Sequence, residues 1–483
     1  MRTREPLAVA VAVGLATVAV AASCSDDCCT IDSFPIPLRW APLGAGAPGR
    51  PGGLLANAQS PSLNSGSPFW MSVDTGSPLT VSDGSADGTH DTVSRNFDIL
   101  GAPPAADPMR APPVRARFRG INMVPVALGA VGDAATRPQA VFGGDLMRGF
   151  SVEFRFGVPD LTFWPNQRAD DGFLEDVGYA VIHFTPFGGG EITAHGSADF
   201  LGQRGPLNVD PTRIVFRACA APAAFDPAIP TQEACCDRRD AITHATGAPL
   251  SLLLATGVGP LILSRSAWDR VRPQLGLDVP AETPGQLYLA GAATPLSVSW
   301  ALLPPAAHLA LVNQESSAAT DAGPCVDLAR ARRIEWVAYR QVGNLEVAEC
   351  VQPCDTDPND TQKAQNSAAY VEVGGVIGNE IPVAILPDTD PLLEGLRSDI
   401  RPEGPELDGI IGAGVLARTR LEVDYRSSGM RAIFSCDDTS DRNQCFIGAR
   451  CPRLPDQTQK HACFGLPLAG LPTMCAADPV CGN

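Results

Sequence analysis

The amino-acid sequence predicts an all-β protein built from two related halves, and three observations carry that reading. Short runs alternate apolar and polar residues, as in Ser151-Val152-Glu153-Phe154-Arg155-Phe156, Thr212-Arg213-Ile214-Val215-Phe216-Arg217 and Arg420-Leu421-Glu422-Val423-Asp424-Tyr425. A period of two is the mark of a strand with one face buried. Glycine and proline are abundant, 47 and 45 residues of 483, which suits short strands and turns better than a helical bundle. Two distant stretches also repeat one another. Gln139 to Phe156 aligns without a gap on Asp408 to Tyr425, placing Val141-Phe142-Gly143 on Ile410-Ile411-Gly412 and Val152-Glu153-Phe154 on Leu421-Glu422-Val423.

The length leaves room for two or three domains, or for one large two-lobed unit. Hydrophobic residues make up 45% of the chain, enough for substantial cores. The formal net charge of −17 argues against nucleic acid or an anionic membrane surface as partner, since both require a basic face. Of the basic residues only Lys363 and Lys460 are lysine, which reads as a bias of the coding genome.

Residues 1–23 read as a targeting segment. Arg2 and Arg4 give a positive start, and Leu7 to Ala22 is an apolar run too short for a comfortable membrane span. The following Ala21-Ala22-Ser23-Cys24 resembles a bacterial lipoprotein signal, in which the cysteine becomes the lipidated first residue. Ala21 departs from it, because Leu, Ile or Val is usual there. The alternative is an ordinary signal peptide, with Cys24 in a disulfide. Either way the mature chain is expected to be exported, in the cell envelope or secreted, and to touch a membrane only through an anchor at Cys24.

The 15 cysteines agree with an oxidising compartment; with Cys24 lipidated, 14 remain, an even number. Cys350-x3-Cys354 and Cys445-x5-Cys451 lack a matching histidine pair, so neither zinc nor any other metal is expected, and no motif implies a cofactor. Residues 24–66 are rich in Gly, Pro, Ser and Ala and are expected to form a surface linker. Two short helices are expected. One runs from Ser264 to about Leu275, with Ser264 or Ser266 as cap. The other runs from Asp390 to Ile400, with Asp390 as cap and Pro391 at the first helical position. Residues 437–483 hold five cysteines just beyond Cys436 and read as a disulfide-stapled tail.

The stretch that speaks of chemistry is Val73-Asp74-Thr75-Gly76-Ser77-Pro78. It closes the apolar run Phe69-Trp70-Met71-Ser72-Val73, a strand that would deliver the Asp74 carboxylate at its end. The repeat calls for a second version upstream of Ile410, and it exists. Leu252-Leu253-Leu254 closes in Ala255-Thr256-Gly257-Val258. Each half therefore carries an x-Thr-Gly turn and a later apolar-apolar-Gly segment.

On these four elements in this order, the chain resembles the pepsin-like aspartic peptidases over roughly Phe69 to Cys436. The resemblance implies a bilobal all-β fold with two pseudo-symmetric lobes, 67–217 and 218–436. It also implies an inter-lobe cleft for an extended peptide or protein segment, and a monomer. Asp74 would be the catalytic residue, supported by Thr75, Gly76 and Ser77. Val141, Phe142 and Gly143, with Ile410, Ile411 and Gly412, would thread beneath the two turns. In that family each Thr hydrogen-bonds to the other lobe, each Gly lets the turns meet, and the residue after the Gly bonds to its Asp.

That chemistry needs two carboxyls about 3 Å apart, one ionised to activate water and one protonated to polarise the carbonyl, titrating as a unit. Here Ala255 stands in the second acid's place and Val258 in that of Ser77. Only Thr256 and Gly257 of the second motif persist. No tyrosine lies between Asp74 and Phe156, where a pepsin-type flap carries one. The expectation is thus an exported, lipid-anchored aspartic-peptidase-like protein with impaired catalysis, serving as a peptide- or protein-binding or scaffold protein. The alternative is an active aspartic endopeptidase using Asp74 and a non-standard second acid. Asp388-Thr389, as a second Asp-Thr motif, and Asp145 and Asp408 are possible acids; the first lacks the Gly and leads into Asp390 as a helix cap, and the other two read more plainly as turn residues. A dimer presenting two copies of Asp74 would have to displace the second half of its own chain. Asp355 to Asp360 resembles the start of a calcium loop but lacks the Gly and Glu that complete one. Gly188-Gly189-Gly190 reads as a hairpin turn.

Overall fold

The computed structural model describes most of residues 35–101, 114–164, 179–222, 247–312, 336–351, 370–373 and 381–436, with shorter breaks inside these spans. It adds short pieces at 29–31, 324–325, 445–448 and 461–463. The chain is mostly β and forms two large mixed sheets, one of 13 strands and one of 11. Helices are short. Arg265–Gln274 begins after Ser264, whose Oγ accepts from Ala267 N at 3.2 Å. Pro391–Ile400 begins after Asp390, whose Oδ1 accepts from Leu392 N at 2.9 Å. Both side-chain caps satisfy orphan N–H groups of a first turn.

The two copies of the repeat are built to one register. The strand Phe69–Val73 pairs in parallel with Pro138–Phe142, Val73 opposite Phe142. The strand Ala248–Ala255 pairs in parallel with Gly409–Gly412, Leu254 opposite Ile411. Behind each threading strand runs an antiparallel neighbour, with Val81 opposite Val141 in one copy and Ile262 opposite Ile410 in the other. Both threading segments end in glycine for the same steric reason. A Cβ at Gly143 would lie 2.2 Å from Leu79 O, and one at Gly412 would lie 2.5 Å from Pro260 O.

The copies meet where their last strands pair. Ser151–Arg155 runs antiparallel to Thr419–Asp424, with Glu153 directly opposite Glu422. Each glutamate faces its own counterpart in the repeat, so a local two-fold axis passes between them. The alternation in these strands predicts one face in water, yet both faces are buried. One face carries Val152, Phe154, Leu421 and Val423 into the main core. The other keeps Ser151, Glu153, Glu422 and Asp424 nearly solvent-free. Its polar groups bond among themselves: Ser151 Oγ to Glu422 Oε1, Trp164 Nε1 to Glu153 Oε2 at 2.8 Å, and Arg420 with Glu153 at 3.3 Å. Buried charge is tolerated when paired in this way.

Three sequence expectations are corrected here. Residues 24–66 are not simply a surface linker. They hold the strands Cys29–Ile31, Ile36–Trp40 and Leu54–Gln59, and Ile36, Leu54, Ala56 and Ala58 lie in the core. Composition hid them, because small apolar residues read as linker until a neighbouring strand covers them. The boundary at 217/218 cuts the strand Arg213–Pro222, which pairs with Ala248–Ala255 and belongs to the second sheet. The tail beyond 437 is not wholly an appendage. Cys445–Gly448 pairs with Tyr370–Val373, and His461–Cys463 with Leu345–Val351. One disulfide is present among the described residues, Cys219–Cys325. Cys24 and the calcium-like stretch from Asp355 lie outside the described residues.

Candidate functional site

The turns at 74–77 and 255–258 meet and are tied by reciprocal bonds. Thr75 N donates to Thr256 Oγ1 at 3.1 Å, and Thr256 N to Thr75 Oγ1 at 3.3 Å. Each hydroxyl passes its own proton back across the junction, Thr75 Oγ1 to Leu254 O at 3.2 Å and Thr256 Oγ1 to Val73 O at 2.8 Å. Both threonines are fully buried. Four buried backbone groups are thereby satisfied by two side chains, which explains why threonine stands in both turns. Each turn also binds its threading segment in the same way. Gly144 N donates to Ser77 O at 2.8 Å, and Ala413 N to Val258 O at 2.7 Å.

The glycines set the spacing. A Cβ at Gly76 would lie 2.7 Å from the Ala255 Cβ, and one at Gly257 would lie 2.7 Å from the Asp74 Cβ and Cγ. Such approaches need a residue without a side chain. Asp74 therefore sits directly against the second turn.

Asp74 is half-buried. Its Oδ1 accepts from Gly76 N at 2.8 Å and from Gly257 N at 3.2 Å, one donor from each turn. Loss of water around the carboxyl raises its pKa above the ordinary 3.8, opposed by these two N–H groups and by the charge of Arg213. Arg213 is itself buried. Its Nε donates to Gly76 O at 3.2 Å and its Nη1 to Asp399 Oδ2 at 2.8 Å. Tyr425 completes the surroundings. Burial first, and the Asp74 charge second, push its phenol pKa up, and its hydroxyl donates to Thr212 O at 3.2 Å. Sequence reasoning missed Arg213 and Tyr425. Both lie on alternating stretches where their positions read as ordinary strand residues, and only tertiary pairing turns them toward the junction.

Among the described residues, no second carboxyl reaches Asp74, and Ala255 lies buried in the matching place. The other acids are engaged elsewhere. Asp145 accepts from Thr80 Oγ1 at 2.7 Å; burial raises its pKa to about 6, against that bond. Asp408 accepts from Ser251 N at 2.9 Å and pairs with Arg270. Asp388 accepts from Ser266 N at 3.1 Å, and Asp390 caps its helix. The resemblance implied a bond from the Ser77 hydroxyl to the Asp74 carboxyl; instead that hydroxyl donates to Leu79 O at 2.8 Å, and only the backbone of Ser77 meets Asp74, N to O at 3.3 Å. Among the described residues, no group of three or more His, Cys, Asp or Glu is placed to hold a metal ion.

No family model matches the chain, and no curated protein matches it. Among solved structures it is similar to basic 7S globulin from soybean, with 11% identity over 84% of this chain and 95% of that one and a TM-score of 0.36. It is also similar to conglutin gamma, a basic 7S globulin from lupine seeds, with 10% identity over 86% and 96% and a TM-score of 0.36. These proteins are named as globulins, not as peptidases. None of these comparisons shows the expected membership of the pepsin-like aspartic peptidases, and that expectation is withdrawn. With it go the lipid-anchored peptidase-like function and the alternative of an active endopeptidase. The geometry agrees, since among the described residues Asp74 has no second carboxyl with which to divide the work of a general base and a general acid.

Proposed function

We propose that the meeting of the two turns is a non-catalytic fastening between two β-lobes in an exported protein. The observation that carries this is the bonding of Asp74: one carboxyl oxygen takes an N–H from each turn, while alanine stands at the matching position of the second turn. A carboxyl so used is a cross-link, and the Thr75–Thr256 exchange around it serves the same end. The lobes we propose are formed by the strands from Ile36 to Trp164 and by those from Arg213 to Leu386 with Gly409–Gly412. Export is supported by the Cys219–Cys325 disulfide, which persists in an oxidising compartment, and by the signal-like residues 1–23. The partner we propose is an extended polypeptide segment lying between the lobes, met by a monomer. The charge of −17 disfavours nucleic acid.

The test is incubation of the purified mature chain with an unfolded protein from mildly acidic to neutral pH, read by mass spectrometry. The expected result is intact polypeptide with the parent and with Asp74→Asn alike. Cleavage by the parent that disappears in Asp74→Asn would overturn the proposal. Retention of extended peptides on the immobilised chain, without cleavage, would support the partner.

A further inference from the structure

The loop between Ala41 and Gly53 lies in the stretch whose composition reads as linker, and its end, Gly53, lies against Gly257 of the second turn. Its base is closed, with Ala41 N donating to Gly53 O and Gly52 N to Ala41 O, both at 2.8 Å. From this base the chain reaches the last strand of the second large sheet, Thr283–Leu287, which among the described strands pairs on one side only, with Leu296–Leu303. An edge strand turns every second N–H outward, unpaired. Here the outward positions are 284, 286 and 288. Proline fills 284 and has no N–H to offer. The other two are taken by the loop: Gln286 N donates to Ala45 O at 3.0 Å, and Tyr288 N to Leu43 O at 3.1 Å. Two residues forward on the strand match two backward on the loop, which is antiparallel ladder spacing.

Side chains complete the fit. Leu43 is buried in a cluster with Leu287, Val298 and Trp300, and Ala47 packs against the same cluster. Gly44 holds φ at +142°, and a Cβ there would lie 2.1 Å from Gln286 O. The edge thus accepts an apolar anchor followed by a residue that must be glycine.

We propose that the Thr283–Leu287 edge is a docking site for an extended polypeptide segment with a leucine-like anchor followed by glycine. Leu43–Ala45 is its resident occupant, which another such segment displaces. This is recognition by strand addition, with main-chain bonds supplying affinity and the anchor pocket supplying selectivity. It does not depend on the role given to Asp74. The resident segment competes at the high effective concentration of a short tether, so the site is masked in the parent chain.

Gly44→Val should eject the loop. The probe is a labelled peptide of residues 40–50, followed by fluorescence anisotropy, with amide hydrogen exchange at Gln286 and Tyr288 as second readout. In Gly44→Val both amides should lose protection, and the peptide should bind at least tenfold tighter than to the parent and restore it. A second variant replaces residues 42–51 by two glycines, because Ala41 and Gly52 already touch; it should behave alike. Unchanged protection in Gly44→Val, or no peptide binding once protection is lost, would overturn the proposal. So would failure of both variants to fold, which would make the loop part of the core rather than a displaceable occupant.

Discussion

At the first turn the strand Phe69–Val73 delivers a carboxyl group; at the second, Ala248–Ala255 delivers a methyl group. The surroundings follow the same division. Beneath the second turn, Leu253, Ile262 and Ile410 form a cluster with Leu393 and Ile400 of the helix Pro391–Ile400. Ser72 occupies the place of Leu253 in the first half and leaves its buried hydroxyl unpaired among the described residues. The threonine ties between the turns are nonetheless reciprocal. Backbone architecture therefore persists through the threonines and glycines, whatever the residue before them. An intact Asp-Thr-Gly signals a way of joining two β units more strongly than it signals a reaction.

The most damaging way to break this equivalence is to remove one of the two hydroxyls. Thr256→Val leaves Val73 O and Thr75 N buried without partners. Two orphaned groups at ~1–3 kcal/mol each predict a loss of ~2–6 kcal/mol, read as a shift in the urea midpoint. Thr75→Val orphans Leu254 O and Thr256 N, whose bonds are the longer ones at 3.2 and 3.3 Å. Its loss should fall in the same range and be the smaller of the two. A near-zero loss for either would show that the turns are held by packing alone.

A milder intervention sharpens the difference between carboxyl and methyl. Gly257→Ala sets a Cβ against the Asp74 Cγ and Oδ2, at 2.7 and 2.8 Å, while Gly76→Ala sets one against the Ala255 Cβ at 2.7 Å. Crowding of this kind costs ~1–3 kcal/mol. The partners identify the cause. Asp74→Ala should offset part of the Gly257→Ala loss, because the contact with Cβ remains. Ala255→Gly should relieve more of the Gly76→Ala loss. Residues in contact couple by ~0.5–3 kcal/mol, so denaturation of the four single and two double variants measures both cycles. Additive losses would show that the glycines serve backbone conformation instead of spacing.

How much of this was legible in the sequence depended on whether the signal was local or relational. The strands, both helix caps and the two-fold repeat could be read because period, cap and turn are properties of neighbouring residues. Even the pairing of Val73 with Phe142 and of Leu254 with Ile411 follows the repeat in register. The strands within 24–66 were not legible: Leu54-Leu55-Ala56-Asn57-Ala58 looks like linker until a sheet covers it. Arg213 was not legible either, because a charged residue on an alternating strand reads as facing water. Its burial depends on Gly76 O and Asp399, which stand far away in sequence. The peptidase reading drew on motif order, and motif order reports architecture. Chemistry rests on which side chains stand at two positions, and Ala255 already showed one of them empty of acid.

The gentlest test leaves every backbone tie in place and changes only the ionisation of Asp74. Its folded-state pKa lies above 3.8, because burial outweighs the N–H groups of Gly76 and Gly257 and the charge of Arg213. Over the window that opens at 3.8, the folded chain holds this proton more tightly than the unfolded chain. The contribution of the group is thus fully present below 3.8 and is lost as pH rises through the folded pKa. Asp74→Asn keeps an oxygen for both N–H donors and cannot ionise. At low pH the variant should match the parent to within ~1 kcal/mol, the scale of one hydrogen bond. As pH rises, the parent should lose stability relative to the variant, so that the difference moves in favour of asparagine. Urea midpoints for both proteins from pH 3 to 8 give the comparison directly. A difference that moves the other way, with the parent gaining on the variant as pH rises, would mean that the ionised carboxylate is the stabilising form. Arg213 would then be a stronger partner to Asp74 than the two backbone donors and their buried setting imply.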